Sequence, residues 1–228
     1  MAKQKNIAGR MKPILLIVLV FGPALLLVLI SLNKCEHKFT ELPKYAHIGS
    51  YEFKTIDNQI VSDVTQRDKI TIFTTIQTSC PGSCAINLPK FNLLLYQDLR
   101  KNKKKLGHVQ IVSILTDEEG MPTDNLEDII FTLNDIVLEY DPDIWRIVTG
   151  DPKQVYNVES NNVNLFQQSN DSAFAEKPFL ETLMLVDKDN DLRIIRRGNR
   201  EGYIRDFKEH LALLQKQYDK NAYKERKK

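Results

Sequence analysis

Apolar and polar positions along the chain repeat with two periods, one typical of strands and one typical of helices. Residues 69–76, KITIFTTI, form a β-branched apolar run that predicts a buried strand, and HVQIVSIL at 108–115 predicts a second. Between these runs, residues 81–101 carry apolar side chains at helical spacing, and residues 125–140 repeat the helical pattern. The basic run RKNKKK at 100–105 is predicted to end the first helix as a solvated turn.

Two further stretches alternate around turn residues and predict β-hairpins. One is IGSYEFKTIDNQIVSDV with its turn at Asp57-Asn58, and the other is TLMLVDKDNDLRIIRRG with its turn at Asp189-Asn190. DIWRIVTG predicts a short strand, and DPKQVYNV predicts a helix that Asp151 caps. Residues 158–177 are polar and predict a loop, and residues 202–218 predict a last helix.

The alternation of strands and helices predicts an α/β fold whose central sheet is parallel in part. An N-terminal hairpin, an antiparallel hairpin near the end and a closing helix make this the thioredoxin-like plan, a mixed central sheet flanked by helices. The tail beyond residue 218, KNAYKERKK, is predicted to be disordered.

The N-terminal region predicts one transmembrane helix. Residues 13–32 carry no charge, and about 20 helical residues cross a bilayer core of about 30 Å. No small-x-small cleavage site follows the run, which favours an uncleaved anchor. The predicted organisation is a cytoplasmic head (1–12), a transmembrane anchor (13–32), a tether (33–46), a thioredoxin-like domain (47–218) and a basic tail (219–228).

Charge predicts the orientation of this anchor and limits the partners. The head before the run carries cations and no acid: Lys3, Lys5, Arg10 and Lys12. The positive-inside rule then puts the N-terminus in the cytoplasm of a bacterial cell, anchored in the inner membrane, with the soluble domain in the oxidising periplasm. A formal charge of +2 over 228 residues is too balanced to indicate nucleic acid as the main partner.

Two of the three cysteines, Cys80 and Cys84, lie where the first strand passes into the first predicted helix. Residues four apart on a helix share a face, about 6 Å apart, so the pair could form a disulfide. Cys80 at a helix start is the predicted nucleophile, because unpaired N–H groups stabilise its thiolate, and Cys84 is the resolving partner. Two such sulfurs also suit Cu(I), although a CxxxC spacing alone is a weak signal.

The residues around this pair resemble the Sco/SenC family of membrane-anchored thioredoxin-like proteins. The resemblance is carried by ITIFTTIQTSCPGSCAINLPKF, IGSYEFKTIDNQIVSD, HVQIVSILTDEEGMPTDNLEDI and DIWRIVTGDPKQVYNV, and it covers about residues 45–215 and the anchor. It implies copper binding through Cys80, Cys84 and a distant His. It also implies a role in assembling the copper centre of cytochrome c oxidase, by delivering copper or by reducing its cysteines.

The chain departs from the family at the expected histidine. That residue should lie about eight positions before Asp187, where this sequence has Pro178, Phe179 and Leu180. His108 starts a strand parallel to that of residues 69–76, so it is expected at the opposite edge of the sheet from the cysteines. The other histidines, His37, His47 and His210, are predicted to be solvated or merely packed. A two-sulfur site could still hold Cu(I), but Cu(II) would lose its nitrogen ligand, so the missing His puts high-affinity copper binding in doubt and favours pure thiol–disulfide exchange.

Three functions therefore stay open. The first is a Sco-like protein that binds Cu(I), exchanges disulfides, or does both. The second is a thiol–disulfide oxidoreductase that carries no metal, and the third is a degenerate redoxin that serves as a structural assembly factor. The expected partners are the membrane and a copper-site subunit of a respiratory oxidase, or another periplasmic thiol protein.

Four smaller features, a third cysteine, two acidic segments and the basic tail, do not by themselves indicate a functional site. Cys35 is expected to be a spare tether thiol, and DKDND at 187–191 a hairpin turn rather than a calcium loop. TDEEG at 116–120 is expected to be a solvated acidic loop at the same sheet edge as the cysteines. The basic tail could touch anionic lipid headgroups.

Overall fold

The computed structural model describes residues 21–23, 26, 28, 41–78, 87–117, 120–123, 126–160, 163, 164 and 182–227. The chain divides into two compact units, residues 1–40 and residues 41–228. In the first unit the described residues are helical. None of the helices in the described ranges is long and apolar enough to span a bilayer. Most of the predicted anchor at 13–32 lies outside those ranges, so the anchor stays a prediction.

The second unit is built on a mixed six-stranded sheet. Its strands are β1 (Ala46–His47), β4 (Ile70–Gln77), β5 (Val109–Thr116), β6 (Trp145–Val148), β9 (Thr182–Val186) and β10 (Asp191–Arg197), and their order across the sheet is β1-β10-β9-β4-β5-β6. β4, β5 and β6 run parallel, whereas β9 is antiparallel to β4, β10 to β9 and β1 to β10. The predicted thioredoxin-like α/β fold with a mixed sheet is confirmed.

Two small hairpins lie outside the main sheet. The predicted N-terminal hairpin is confirmed as β2 (Glu52–Lys54) and β3 (Ile60–Ser62). β7 (Glu159–Ser160) and β8 (Val163–Asn164) form a second hairpin at the start of residues 158–177, which were predicted to be loop throughout. The rest of that predicted loop, from residue 165, lies outside the described residues.

The helices follow the sequence pattern with corrected ends. They are α1 (Leu88–Phe91), a π-helical turn (Asn92–Tyr96), α2 (Gln97–Lys101), α3 (Lys103–Leu106), α4 (Leu126–Ile136), α5 (Lys153–Tyr156) and α6 (Glu201–Glu225). The helix predicted for residues 81–101 is not continuous, because Asn87 is not helical and a helical segment begins at Leu88; the predicted start at Pro81 lies outside the described residues. The reason is local, since the side chain of Asn87 accepts the Lys90 amide at 3.2 Å and Pro89 lies in the first turn.

Two basic stretches that were predicted to be irregular are helical. Lys103–Leu106 forms α3 where a turn was expected, and α6 continues to Glu225 instead of ending at residue 218. Lys, Glu, Gln and Ala are strong helix formers, and extending a formed helix needs no new nucleus. The prediction of a disordered tail is therefore wrong up to Glu225.

The sheet separates two hydrophobic cores, because side chains alternate faces along each strand. On one face Ile72 of β4 and Ile111 of β5 pack with α1, α2, α4 and α6, and Trp145 lies within 5.3 Å, centroid to centroid, of the rings of Phe91 and Tyr96. On the other face Phe73 packs with the β2–β3 hairpin and α5. Both faces of the central strands are buried, as their continuous apolar runs predict.

The strands begin and end on two opposite sides of the sheet, and we name these sides edges; the term does not refer to the outermost strands. We call the end formed by Gln77 of β4, Thr116 of β5 and Thr182 of β9 the carboxyl edge. The opposite end, formed by Ile70 of β4, Val109 of β5 and Val186 of β9, is the amino edge. These definitions follow from the register, which pairs Gln77 with Thr116, Ile70 with Val109 and Thr71 with Val186.

Candidate functional site

The predicted cysteine pair lies in a segment whose two flanks are described. Cys80 and Cys84 themselves, together with residues 79–86, lie outside the described residues, as does Cys35. On the N-terminal side, Thr78 donates its amide to the Thr116 carbonyl at 3.0 Å. On the C-terminal side, Asn87 donates its amide to the Gly198 carbonyl at 2.8 Å, just beyond the end of β10. Both flanking residues are therefore attached to the carboxyl edge of the sheet.

The carboxyl edge carries buried polar groups that have no hydrogen-bond partner among the described residues. Both polar atoms of the Gln77 carboxamide are buried and unpaired, and so is the hydroxyl of Thr116, which is fully buried. Three residues earlier in β4, the hydroxyl of Thr74 is also buried and unpaired. A buried donor or acceptor left without a partner costs about 1–3 kcal/mol. Such groups are candidates for contacts with a ligand or a bound partner.

Gln77 and Thr116 were not singled out from the sequence. Each is a polar residue at the end of a strand that is buried on both faces, and Gln77 lies three residues before Cys80. That position was the available signal. It was too weak alone, because a strand-end Gln or Thr is usually hydrated.

The acidic loop at 116–120 begins at the same edge, as predicted. The Asp117 carboxylate accepts the Met121 amide at 2.8 Å, and Gly120 has a φ of 78°, so the loop folds back on itself. Glu118 and Glu119 lie outside the described residues. Asp117 is thus used to close a turn.

The described histidines do not lie at the carboxyl edge. His108 precedes β5 at the amino edge, and its carbonyl accepts the Ile70 amide at 2.8 Å, which confirms its predicted position at the opposite end of β5. Burial lowers the pKa of His108, and Lys188 lowers it further. His47 contacts Asp191 at 3.0 Å, also at the amino edge, and the ring of His210 contacts the Asp206 carbonyl of its own helix at 2.7 Å. His37 lies outside the described residues.

The three aspartates of DKDND form a hairpin turn, as predicted. Asp187 accepts the amides of Asp189 and Asp191, each at 2.9 Å, and Asn190 adopts the left-handed conformation that such a turn requires. Carboxylate oxygens from all three aspartates lie within 4.8 Å of one another.

Cations of the protein already bind these carboxylates. Arg193 contacts Asp187 at 2.7 Å, and Lys44 contacts Asp191 at 2.6 Å and Asp189 at 3.3 Å. The turn is accordingly a structural ion-pair network of the amino edge.

The fold therefore defines a thioredoxin-like protein in which the segment that contains both predicted site cysteines is attached to the carboxyl edge of its sheet. A scan against models of known protein families gives no match. A search of curated proteins gives none either.

Solved structures similar to this chain include Sco-family proteins, as the sequence resemblance predicts. One is the structure of BsSco, a member of the Sco family of cytochrome c oxidase assembly proteins in which a disulfide switch is identified. Its TM-score is 0.48 and its identity 16%, over 77% of this chain and 98% of that chain. Another is Bradyrhizobium japonicum ScoI with copper bound, with a TM-score of 0.43 and 18% identity, over 72% of this chain and 99% of that chain.

A third similar structure is a putative thiol:disulfide interchange protein DsbE from Chlorobium tepidum. Its TM-score is 0.47 and its identity 15%, over 76% of this chain and 98% of that chain. At these identities and TM-scores the likeness does not assign a function to this chain. The function has to be argued from the chain's own residues.

Proposed function

We propose that this chain is a membrane-tethered, Sco-like protein that uses Cys80 and Cys84 for thiol–disulfide exchange and for binding Cu(I) when reduced. The observation that carries the proposal is the attachment of both flanks of the cysteine segment, Thr78 and Asn87, to the carboxyl edge. Only eight residues separate these flanks, and two of them are the cysteines. The attachment of both flanks supports a position for the pair at this end of the sheet.

The exchange reaction that follows is balanced within the pair. The Cys80 thiolate attacks a partner disulfide and forms a mixed disulfide, which releases one partner thiolate. Cys84, after losing its proton, then attacks the Cys80 sulfur and releases the second partner thiolate. Two electrons and two protons pass from this chain to the partner, and this chain is left with the Cys80–Cys84 disulfide.

Copper is treated as cargo of the reduced pair. Two thiolates are soft ligands and suit Cu(I), whereas Cu(II) favours additional nitrogen ligands. The described residues of the carboxyl edge offer the Gln77 carboxamide and the Thr116 hydroxyl but no imidazole. This donor set fits Cu(I) and does not fit a tight Cu(II) site.

The biological setting is proposed from the sequence. Residues 13–32 would anchor the chain in the bacterial inner membrane with the domain in the periplasm. The natural target there is a copper-site subunit of a respiratory oxidase, whose cysteines must be reduced and metallated. The work of the domain would be one or both of these steps.

Copper titration of the reduced full-length chain in detergent tests the metal part of this proposal. We expect one Cu(I) per chain, with affinity lowered at least about tenfold in Cys80→Ser and in Cys84→Ser because each change removes one of two soft ligands. Cys35→Ser is the matched control and should bind as the unmodified chain does. Binding that persists in both site variants would overturn the copper assignment.

A second candidate is thiol–disulfide exchange without metal, favoured by the position of His47 and His108 at the amino edge. It predicts no Cu(I) binding in the titration above but rapid exchange with a disulfide-bonded peptide from an oxidase copper site. If the Cys80→Ser and Cys84→Ser variants support oxidase assembly fully, the pair is only a structural element and both candidates fail.

A further inference from the structure

The last helix extends well beyond the domain on which it packs. α6 is buried at Leu211 and Leu214, and the hydroxyl of Tyr218 accepts the Lys188 amide at 3.3 Å. From Asp219 to Lys227 every residue except Ala222 is exposed. The last two turns of the helix therefore project from the domain with little to hold them.

A basic stripe, which we define as Lys216, Lys220, Lys224 and Lys227, begins just before this projecting end and continues along it. At 100° per residue Lys216, Lys220 and Lys224 lie within about 80° of one another around the axis of α6, and Tyr223 lies beside them. Lys227 follows in the turn after the helix ends. Tyr223 is 58% exposed, and the Lys227 ammonium lies 4.5 Å from the centre of its ring. Glu225 faces the opposite side. Among the described residues no carboxylate forms an ion pair with a lysine of the stripe.

The composition of the stripe exceeds what the helix itself requires. One or two cations in the final turn offset the negative end of a helix dipole, but Lys220 lies more than one turn from that end and Lys216 lies more than two turns from it. Tyrosine together with lysine is the combination found at the boundary between lipid and water, where the ring is half buried and the ammonium reaches phosphate.

The stripe leaves the domain beside the segment by which the chain enters it. The Arg193 guanidinium donates to the Leu42 carbonyl at 2.5 Å and, from the same nitrogen, to the Gln217 side chain at 3.2 Å. The incoming segment and the start of the projecting turns are thus held by one side chain at the amino edge. Only nine residues, 33–41, separate Leu42 from the charge-free run that ends at Leu32, and they span at most about 30 Å.

We propose that the projecting end of α6 binds an anionic phospholipid surface through the basic stripe and Tyr223. The proposal rests on the membrane anchor in the proposed function, since the short connection would keep the amino edge close to the bilayer. Each lysine near an anionic surface strengthens association about fivefold.

Hydrogen exchange on the full-length chain tests this directly. The chain is reconstituted into vesicles of phosphatidylcholine alone, or with a third of that lipid replaced by phosphatidylglycerol. We expect amides of residues 219–227 to exchange at least about tenfold more slowly in the anionic vesicles, because binding suppresses fraying of an exposed helix end. High salt should remove the difference, because it screens surface charge.

Two variants with the same change in charge separate the stripe from net charge. Lys220→Glu with Lys224→Glu should abolish the difference between the vesicles. Lys54→Glu with Lys153→Glu, which alters exposed lysines of β2 and α5, should leave it intact. Equal exchange in both vesicle types would overturn the proposal. So would protection by soluble polyglutamate in neutral vesicles without protection by phosphatidylglycerol, which would indicate an acidic protein partner instead.

Failure of the anchor and failure of the stripe give different results. Loss of flotation with neutral vesicles would contradict the anchor and leave the comparison between vesicle types to decide on the stripe. Flotation with both vesicle types but no difference in exchange would contradict the stripe alone.

Discussion

A buried ion pair at the amino edge of the central sheet and two buried polar side chains at the carboxyl edge differ in whether they have hydrogen-bond partners. At the amino edge, Asp187 and Arg193 are fully or almost fully buried, and Arg193 also binds the carbonyls of Leu42 and Pro43. At the carboxyl edge, the Gln77 carboxamide and the Thr116 hydroxyl are buried without partners. The Asp187–Arg193 network is thus satisfied within the fold, whereas Gln77 and Thr116 find no partner among the described residues. The amino edge is not free of such groups, because the buried Gln66 carboxamide just before β4 is also unpaired.

The difference indicates that the two groups have different roles, one in stability and the other in binding. A saturated network stabilises one arrangement and suits the edge where the chain enters the domain and where α6 passes. Unpaired groups lower stability and persist where a ligand or partner completes them. The carboxyl edge is also the end of the sheet to which the flanks of the cysteine segment are attached, which is where such a cost is expected.

The largest effect is expected from breaking the amino-edge network. Arg193→Met leaves the Asp187 carboxylate buried without its cation, and we expect the free energy of unfolding to fall by about 3–5 kcal/mol. Urea unfolding of the full-length chain in detergent measures it. Arg196→Met is the matched control, because Arg196 pairs with Asp206 at a half-exposed site, where the expected loss is at most about 1 kcal/mol.

A second change tests whether the loss in Arg193→Met comes from the stranded charge. Adding Asp187→Asn neutralises the carboxyl group but keeps an oxygen for the amides of Asp189 and Asp191. The double variant should recover much of the lost stability. If it is no more stable than Arg193→Met, packing of the guanidinium, rather than the ion pair, holds this edge.

An opposite result is expected at the carboxyl edge. Thr116→Val replaces an unpaired buried hydroxyl by a methyl group of similar size, and we expect stability to rise by about 1 kcal/mol. Ser113 in the same strand provides the control, because its hydroxyl accepts the indole N–H of Trp145 at 2.8 Å. Ser113→Ala should cost about 1–3 kcal/mol, since the indole N–H is then unpaired.

The rate of disulfide exchange and the stability of the fold should change in opposite directions at this edge. We expect Thr116→Val to slow disulfide exchange while it stabilises the fold, and both are measured on the same preparation in the same redox state. A destabilised Thr116→Val would show that its hydroxyl has a partner in solution, and the contrast between the two edges would then fail.

The sequence predicted the fold well where pattern and turn chemistry agree. The β-branched runs located β4 and β5, and Asp189-Asn190 located the β9–β10 hairpin. The misses have physical reasons. β1 was not predicted, and Ala46 was assigned to the tether, because two residues show no periodicity and this strand is defined by its pairing with β10. α6 was made too short, because charged residues were read as disorder although they favour helix.

Some features of the candidate site and its surroundings could likewise be predicted from the sequence, and others could not. The CxxxC spacing and its position after a strand could be read directly, and so could the position of His108 at the other edge. The buried state of Arg193 could not be read, because arginine is usually exposed and only the meeting of Leu42, Asp187 and Gln217 around it permits burial. The unpaired groups of Gln77 and Thr116 likewise depend on what surrounds them in three dimensions.

The smallest expected effect concerns His108 at the amino edge. Burial lowers its pKa below the ordinary value of 6.5, and nearby Lys188 lowers it further against a weaker opposing effect of Asp219. As the pH falls below about 6.5, the unfolded chain binds a proton that the folded chain does not, so stability is lost until the pH reaches the lower, folded-state pKa. His108→Gln should therefore flatten the decline of the melting temperature between about pH 7 and pH 5.

Lys188→Gln sharpens this test, because it removes the cation that lowers the pKa of His108 and should flatten the decline in part. Lys105→Gln removes an exposed lysine near in sequence and should leave the slope as it is. The effect is small, because one partly buried imidazole exchanges one proton. A slope unchanged in His108→Gln would contradict the assignment to this imidazole. Asp191 would not explain such a slope, because hydrogen bonds from Lys44 and His47 lower its pKa despite the opposing effect of burial, and a carboxyl group with a lowered pKa loses its stabilising contribution only at more acidic pH.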